Sequence, residues 1–200
     1  MTQLLLGTKN EGKIEETVEL LAAIEGLELL TFIDCPFPDV DETGDTFLDN
    51  ALLKARTICR ATGLPVLAED AGLEVMHLGG EPGVLSARFS GTPVDYARNN
   101  DLLLQRMDAV GDRRARFVAV AALELPDGQT FACSGVLRGV ITESPLGDGG
   151  FGYDPLFVPE GSTRTLAQMS SAEKNRISHR KRALSRMRAV LIDLIGSGDL

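Results

Sequence analysis

The chain opens with short apolar runs separated by a segment of helical periodicity. Residues 3–7 form an apolar run that ends in glycine and predicts a buried strand. Residues 11–24 place Ile14, Val18, Leu21 and Ala22 at helical spacing, and residues 27–33 predict a second strand. The order strand, helix, strand is typical of an α/β fold that begins with a parallel pair of strands.

A loop, a second helix and a third strand are predicted next. Residues 35–45 contain two prolines and four acids and predict a loop. Thr46, together with Asp49, is predicted to cap a helix. The inner face of that helix is predicted to consist of Phe47, Ala51, Ala55 and Ile58. Residues 64–70, LPVLAED, predict a buried strand that ends in two carboxylates, and residues 73–78 are a candidate continuation.

The pattern changes to strand periodicity near residue 115. Residues 79–91 and 145–162 are rich in glycine and proline and predict loops, whereas residues 94–107 and about 171–195 predict helices. Residues 117–125 and 130–141 predict strands joined at PDG as an antiparallel hairpin. These elements predict one α/β domain over residues 1–200, with a mixed sheet that carries two lobes.

The charge of the chain argues against a nucleic-acid partner. The 200 residues have a net charge of −9 and are 44% hydrophobic, which suits a folded protein. A strongly acidic chain is repelled by a nucleic-acid backbone. Acids concentrate in residues 11–49 and basic residues in 164–188. These two ends either meet across a cleft, where they would hold a metal and a polyanion, or form two solvated helix faces.

The cysteines and the hydropathy pattern favour the cytoplasm. Cys35, Cys59 and Cys133 show no metal-binding spacing and are expected to be free thiols in a reducing compartment. Neither a leader nor an apolar run of membrane-spanning length is evident. We therefore expect a cytoplasmic protein with no membrane partner.

Residues 7–13, GTKNEGK, match the phosphate-binding pattern G-x-x-x-x-G-K. The Ser or Thr that would bind magnesium after Lys13 is replaced by Ile14. The segment joins a predicted strand to a predicted helix, where backbone N–H groups and Lys13 can meet an anion. A damaged phosphate loop, a turn without a ligand and a different phosphate-binding device all stay open.

Two pairs of acids are candidates for metal binding or proton transfer. Glu69 and Asp70 follow a buried strand, and adjacent strand residues point to opposite faces, so we expect only one of them to enter the site. Asp41 and Glu42 lie on the loop before the second helix. One of these together with Asp70 would supply the oxygen ligands that magnesium prefers. Solvated surface acids are the alternative.

Two later segments carry candidates for ligand binding. In GDGGFGYDP, residues 147–155, Phe151 could stack on a nucleobase or pack in an ordinary turn. In SSAEKNRISHRKRAL, residues 170–184, Lys174, His179 and Arg180 could bind an anion or a base edge. An unbroken helix spreads these three around its circumference, so either the helix bends near Ser178 or the three have different tasks.

The motifs TKNEGK, DETGDTFLDNALLKA, EDAGLEV, GFGYDPLF and SSAEKNRISHRKRAL occur together in this order. The chain thereby resembles the inosine triphosphate pyrophosphatase family from residue 4 to about residue 191. The resemblance implies an elongated α/β fold, with a mixed sheet flanked by helices and a nucleotide cleft between two lobes. It also implies a homodimer that uses Mg²⁺ to hydrolyse ITP, dITP and XTP to the monophosphate and pyrophosphate, which removes deaminated purines from the nucleotide pool.

The resemblance also implies roles for individual residues. Triphosphate binding is implied for Thr8, Lys9, Asn10, Glu11, Gly12 and Lys13. Asp70 matches an acid that serves as metal ligand and proton acceptor, and one of Asp41 and Glu42 matches the second metal ligand. Further substrate contacts are implied for Ala71, Phe151, Gly152, Tyr153, Asp154, Lys174, His179 and Arg180. Many members have DDSG where this chain has EDAG, so Ala71 offers only its backbone N–H.

A mechanism and an account of selectivity follow from this resemblance. We expect Asp70 to orient or deprotonate the attacking water, and Lys13 and Lys174 to stabilise the leaving pyrophosphate. Hypoxanthine and xanthine carry a carbonyl at position 6, where adenine carries an amino group. Arg180 or a protonated His179 facing this position would accept the carbonyl and reject the amino group, with Phe151 stacked on the base.

Three other functions are compatible with parts of this pattern. The first is a pyrophosphatase of related fold that acts on modified pyrimidine nucleotides. The second is a nucleotide-binding regulator without turnover, which the presence of both Asp70 and Lys13 disfavours. The third is a P-loop hydrolase that releases orthophosphate, which Ile14 disfavours.

Overall fold

A computed structural model describes all residues, Met1–Leu200, and contains one six-stranded sheet. The strands are β1 Thr2–Leu6, β2 Leu27–Leu30, β3 Val66–Val75, β4 Arg114–Glu124, β5 Thr130–Ile141 and β6 Phe157–Pro159. Their order is β2-β1-β3-β4-β5-β6, with β1 parallel to β2 and β3, and β5 antiparallel to β6. The predicted α/β class and the mixed sheet are confirmed. The predicted hairpin is confirmed as well, because β4 and β5 are neighbours joined by too few residues for a parallel crossover.

Five α-helices accompany the sheet, namely α1 Glu11–Leu21, α2 Phe47–Thr62, α3 Tyr96–Arg106, α4 Ser171–Ile177 and α5 His179–Ser197. Thr46 caps α2, because its hydroxyl accepts a hydrogen bond of 3.1 Å from the Asp49 backbone N–H. The predicted inner face of α2 is confirmed, since all four of its apolar residues are buried. The apolar spacing predicted for α1 is buried only in part. Thr17 and Leu21 are buried, whereas Ile14 is half-buried.

Two predicted element boundaries are wrong, and one candidate continuation is confirmed in part. The candidate continuation of the strand that reaches Asp70 is confirmed as far as Val75, where Leu73 and Val75 are buried, whereas Met76–Leu78 form a 3-10 turn. The strand predicted over residues 27–33 ends at Leu30, where a turn begins. The helix predicted over residues 171–195 is interrupted at Ser178, whose backbone ψ of 138° is extended. This break confirms the first of the two arrangements considered for the basic segment.

The chain divides into two compact units. The first contains Met1–Asp70, Ala119–Gly135 and Arg180–Leu200, and the second contains Ala71–Val118 and Val136–His179. In the second unit, Leu73, Phe117, Tyr153 and Phe157 belong to one hydrophobic cluster, in which the Phe117 and Phe157 rings are 4.8 Å apart. The elongated shape, the cleft and the single domain stay predictions. No helix of the chain combines the length and the apolar composition needed to cross a membrane.

Gly139 allows β5 and β6 to approach closely. A Cβ at this position would lie 2.2 Å from the Val158 carbonyl oxygen and 2.6 Å from the Phe157 ring. We therefore expect Gly139→Ala to lower the free energy of unfolding by about 1–3 kcal/mol through overpacking. Thermal unfolding measures this effect, with Gly111→Ala as the control because a Cβ at Gly111 would meet no atom within 4 Å. Equal melting temperatures for the two variants would contradict the prediction.

Candidate active site

The predicted phosphate-binding segment builds the N-terminus of α1. The Asn10 side chain caps the helix by accepting a hydrogen bond of 3.0 Å from the Lys13 backbone N–H, and the Asn10 N–H donates to the Thr8 hydroxyl at 3.2 Å. A side chain at Gly7 would crowd its neighbours, since a Cβ would lie 3.0 Å from Val66 and 3.1 Å from Ala68. These contacts fix a short turn that leaves the positive end of α1, with its N–H groups, at the end of β1.

The remaining residues of this segment have different surroundings. The Lys9 ammonium lies 2.7 Å from Asp39, and this ion pair is exposed. The Glu11 side chain is exposed to solvent. A Cβ at Gly12 would meet its nearest neighbour only at an ordinary 3.5 Å, so the turn does not require glycine there. Ile14 lies half-buried on α1, where it cannot bind a metal.

Glu69 and Arg180 form a buried ion pair in the first unit. Arg180 Nε lies 2.9 and 2.8 Å from the two carboxylate oxygens of Glu69, and Arg180 Nη1 lies 2.9 Å from Glu16. The Lys13 ammonium approaches the same Glu69 carboxylate at 3.9 Å. Glu16 belongs to the acidic end of the chain and Arg180 to the basic end, so the two ends meet in this network.

Asp70 belongs to a second cluster in the same unit. The Lys54 ammonium forms an ion pair with Glu42 and lies 3.6 Å from Asp70 Oδ1. The Asn50 amide donates a hydrogen bond of 3.1 Å to Asp70 Oδ2. Because side chains alternate along a strand, β3 supplies one carboxylate to each cluster.

Asn50 and Lys54 contact the candidate residues Asp70 and Glu42, and the sequence analysis missed both of them. They lie one turn apart on α2, and Asn50 is fully buried. The Asn50 side chain also accepts a hydrogen bond of 2.7 Å from the Gly44 N–H, so it ties the loop that carries Glu42 to β3. Gly44 is needed for this approach, because a Cβ would lie 2.8 Å from Asn50 Oδ1. The overlooked signal was a pair of polar residues at helical spacing beside the apolar face of α2.

Glu42, rather than Asp41, is brought to Asp70. The Asp41 side chain is exposed, whereas Glu42 is half-buried against Lys54. No group of three or more His, Cys, Asp and Glu side chains lies close enough together to hold a metal ion. Magnesium, however, needs only one or two carboxylates when water and substrate phosphates complete its shell. Glu42 and Asp70, which converge on one cation, fit that requirement.

Burial and neighbouring charges shift the pKa values of three charged groups of the first unit. Burial raises the pKa of Asp70, and the Lys54 ammonium opposes this rise. Burial lowers the pKa of Lys13, against the influence of Glu69. For Arg180, burial disfavours the charge, but Glu69 and Glu16 outweigh it and raise the pKa. Arg180 therefore stays a cation, while Asp70 holds a proton more readily than an exposed carboxyl group does.

The glycine-rich loop of the second unit places Phe151 at the surface. Phe151 is 58% exposed, and its ring centroid lies 6.2 Å from that of Tyr96 and 5.8 Å from the Lys174 ammonium. Lys174 forms an ion pair with Asp154, whose carboxylate also accepts a hydrogen bond of 3.1 Å from the Phe151 N–H. A Cβ at Gly150 would lie 2.0 Å from the Asp154 carboxylate, so only glycine fits. An exposed ring beside a fixed ammonium suits a flat, anionic ligand.

The Tyr153 side chain belongs to the hydrophobic core. Its ring lies in the hydrophobic cluster of the second unit, and its hydroxyl donates a hydrogen bond of 2.9 Å to the Ser86 carbonyl oxygen. Burial raises the pKa of this hydroxyl. The neighbouring Gly152 carbonyl accepts a hydrogen bond of 3.0 Å from Asn100. Any substrate contact of Tyr153 would therefore have to involve its backbone.

His179 stacks on Phe117 in the second unit. The two ring centroids are 5.0 Å apart, and the ring planes differ by 13°. This stacking fixes the plane of the imidazole and thereby the directions of its two nitrogens. Ala71, the first residue of the second unit, is half-buried.

A separate groove of about 480 Å³ lies in the second unit and is lined in part by Arg114, Arg116, Arg138 and Met76. None of the predicted site residues lines it. Arg116 is paired with Glu74, and Arg114 pairs with a nearby aspartate. The groove therefore contributes nothing to the candidate active site.

The chain matches known proteins over nearly its whole length. A family model described as the Ham1 family matches residues 4–190. A dITP/XTP pyrophosphatase of Streptomyces avermitilis is 48% identical over 200 residues, which cover 98% of this chain and 100% of that protein. A dITP/XTP pyrophosphatase of Thermus thermophilus is 51% identical over 183 residues, which cover 91% of this chain and 88% of that protein.

A solved structure agrees with these relatives. A HAM1 protein from Coxiella burnetii is 38% identical, superimposes with a TM-score of 0.91, and covers 96% of this chain and 100% of its own. The resemblance that the sequence motifs predicted is thereby confirmed. Because the family model spans residues 4–190 and the relatives match over nearly their full lengths, this chain belongs to the Ham1 family.

Proposed function

We propose that this protein hydrolyses the deaminated purine nucleotides ITP, dITP and XTP to the nucleoside monophosphate and pyrophosphate. The observation that carries the proposal is that Glu42 and Asp70 converge on the Lys54 ammonium. The chain that holds them is 48% and 51% identical to two proteins named dITP/XTP pyrophosphatase. Hydrolysis of a triphosphate needs cations for the phosphate oxygens and carboxylates for a metal and a water. The first unit holds both kinds of group.

Triphosphate binding is assigned to the start of α1. The N–H groups at this helix end and the Lys13 ammonium are positive groups that suit phosphate oxygens. Thr8 and Asn10 support the turn through their hydrogen bonds, so their contribution includes the shape of the backbone. Lys13 stabilises the negative charge that develops on the leaving pyrophosphate.

Mg²⁺ is assigned to Glu42 and Asp70. Both are carboxylates that already neutralise a cation, and Asn50 ties the loop that bears Glu42 to Asp70 through the Gly44 N–H. When bound, the metal would neutralise charge on the phosphate oxygens. The Asp70 carboxylate would orient the attacking water and accept its proton.

Base recognition is assigned to Phe151 and His179. The exposed Phe151 ring is available to stack on a purine, and Lys174 beside it adds a cation for the same ligand. His179, with its ring plane held by Phe117, would donate to the carbonyl at position 6 of hypoxanthine or xanthine. Adenine offers a second donor at that position, which would leave both donors unpaired.

Arg180 receives a different role from the one that its motif suggests. Its Nε and Nη1 already donate to Glu69 and Glu16, and the side chain is buried. We assign Arg180 to positioning Glu69, which in turn lies beside the Lys13 ammonium. In this role Arg180 supports phosphate binding and leaves the choice of base to other residues.

The protein is proposed to act as a homodimer in the cytoplasm, without a nucleic-acid partner. The homodimer rests on the family resemblance, and light scattering tests it, since a mass of 21.4 kDa in solution would contradict it. The net charge of −9 disfavours binding to nucleic acid. The three unpaired cysteines are consistent with a reducing compartment.

Incubation with ITP and Mg²⁺ is expected to yield IMP and pyrophosphate, with ATP as a poor substrate. Ion-exchange chromatography separates these products. Asp70→Asn should lower kcat by about 10²–10⁴-fold, because the amide cannot accept the proton of the water. Release of orthophosphate would reject the proposal, and a preference for modified pyrimidine nucleotides would favour the related pyrimidine enzymes.

Glu42→Gln and Asp41→Asn each remove one negative charge from adjacent positions of one loop. We expect Glu42→Gln to raise the Mg²⁺ concentration for half-maximal turnover several-fold, because it removes a metal ligand. Asp41→Asn should leave this concentration close to that of the wild type, because its side chain points into solvent. Equal shifts for the two variants, measured by titrating Mg²⁺ at saturating ITP, would show that the assignment to Glu42 alone is wrong.

His179→Gln and Arg180→Lys separate base recognition from positioning. His179→Gln should lower the ratio of kcat/KM for ITP to kcat/KM for ATP, because a neutral amide can present either a donor or an acceptor to position 6 of the base. Arg180→Lys should lower kcat/KM for both nucleotides by a similar factor and reduce the melting temperature, because it weakens a buried ion pair. If Arg180→Lys lowers the ITP-to-ATP ratio of kcat/KM as strongly as His179→Gln does, then Arg180 takes part in base recognition.

A further inference from the structure

Lys54 lies in surroundings that are unusual for a lysine. Its side chain is only 12% exposed, and its ammonium contacts Glu42 and approaches Asp70. Lysine is seldom buried, because removing an ammonium from water is costly unless anions replace the water. The two carboxylates supply these anions, and Lys54 in turn relieves the repulsion between their like charges.

The two carboxylates are also held in place by a group other than Lys54. Asn50 donates to Asp70 and accepts from the Gly44 N–H, so it links β3 to the loop that carries Glu42. The Asn50 amide is uncharged and fully buried. These neutral hydrogen bonds hold the Asp70 carboxylate and the backbone of the loop that bears Glu42, so both would stay in place if another cation replaced the Lys54 ammonium.

A divalent metal and Lys54 compete for the same pair of carboxylates. Without nucleotide, an ammonium and a divalent ion would bring three positive charges to two carboxylates, and the two cations would repel each other at short range. We propose that Lys54 is a tethered counter-ion that keeps divalent metal out of the nucleotide-free site, so that metal enters together with the nucleotide. This inference rests on the proposed function, in which Glu42 and Asp70 hold the metal.

The coupling between metal and nucleotide arises from the cost of displacing Lys54. An ammonium that leaves Glu42 and Asp70 needs another anion, since an unpaired buried charge carries a large penalty. A nucleoside triphosphate supplies such an anion, whereas free Mg²⁺ does not. Metal binding is therefore favourable mainly when the nucleotide is present. By linkage, each ligand then raises the affinity of the protein for the other.

Binding of Mn²⁺ to the nucleotide-free protein, followed by the electron paramagnetic resonance signal of the free ion, tests the proposal. Lys54→Met removes the charge and keeps a long side chain, and we expect its affinity for Mn²⁺ to rise by about 5–150-fold over the wild type. Lys54→Arg keeps the charge and should bind Mn²⁺ as weakly as the wild type. Arg60→Met is the matched control, because it removes a positive charge from an exposed position of the same helix.

Equal affinities of the wild type and a folded Lys54→Met variant for Mn²⁺ would overturn the proposal, as would an equal rise in Arg60→Met. If Lys54→Met does not fold, the wild type decides. A protein saturated with a non-hydrolysable ITP analogue must bind Mn²⁺ more tightly than the nucleotide-free protein does. It must also bind Mn²⁺ more tightly than the free analogue does. No rise overturns the proposal. These measurements do not use turnover, so failure to cleave ITP would reject the proposed function separately.

Discussion

Glu69 and Asp70 place two negative charges on consecutive residues of β3, and both side chains are almost fully buried. Buried carboxylates that are close together lose hydration and repel each other, so each needs its own cation or hydrogen-bond donors. The alternation of a strand sends the two to opposite faces, where Arg180 and Lys13 meet Glu69, and Lys54 and Asn50 meet Asp70. The way α1, α2 and α5 present polar side chains to this part of β3 follows from that electrostatic requirement.

Glycine determines how closely a loop approaches a charged or polar partner in both units. In the first unit, Gly44 lets the loop that bears Glu42 donate a backbone hydrogen bond to Asn50. In the second unit, Gly150 leaves space for the Asp154 carboxylate, which holds Lys174 next to Phe151. A methyl group at either position would collide with the polar atoms that organise the site. The permissive backbone of these loops therefore serves close packing against charge as much as contact with a ligand.

The proposed chemistry and the proposed base selectivity depend on different physical properties. The groups assigned to hydrolysis are largely buried and preorganised, so they stabilise charge without reorganising during the reaction. The group assigned to stacking, Phe151, is exposed and accepts any flat ring, so it cannot by itself distinguish one purine from another. Distinguishing one purine from another then requires a hydrogen-bond donor of fixed direction, and His179, stacked on Phe117, suits this role.

The sequence by itself determined the α/β class, the strand–turn–helix at Asn10, the cap at Thr46 and the family, because these depend on periodicity and short local motifs. It also singled out Asp70 and Lys13 as candidate site residues. Only the tertiary structure showed that Asn50 and Lys54 contact the acid pair, that Glu42 rather than Asp41 approaches Asp70, and that Arg180 is bound to Glu69. The physical reason is that these partners are far apart in the chain, and a local pattern cannot specify which charges meet once their side chains leave water.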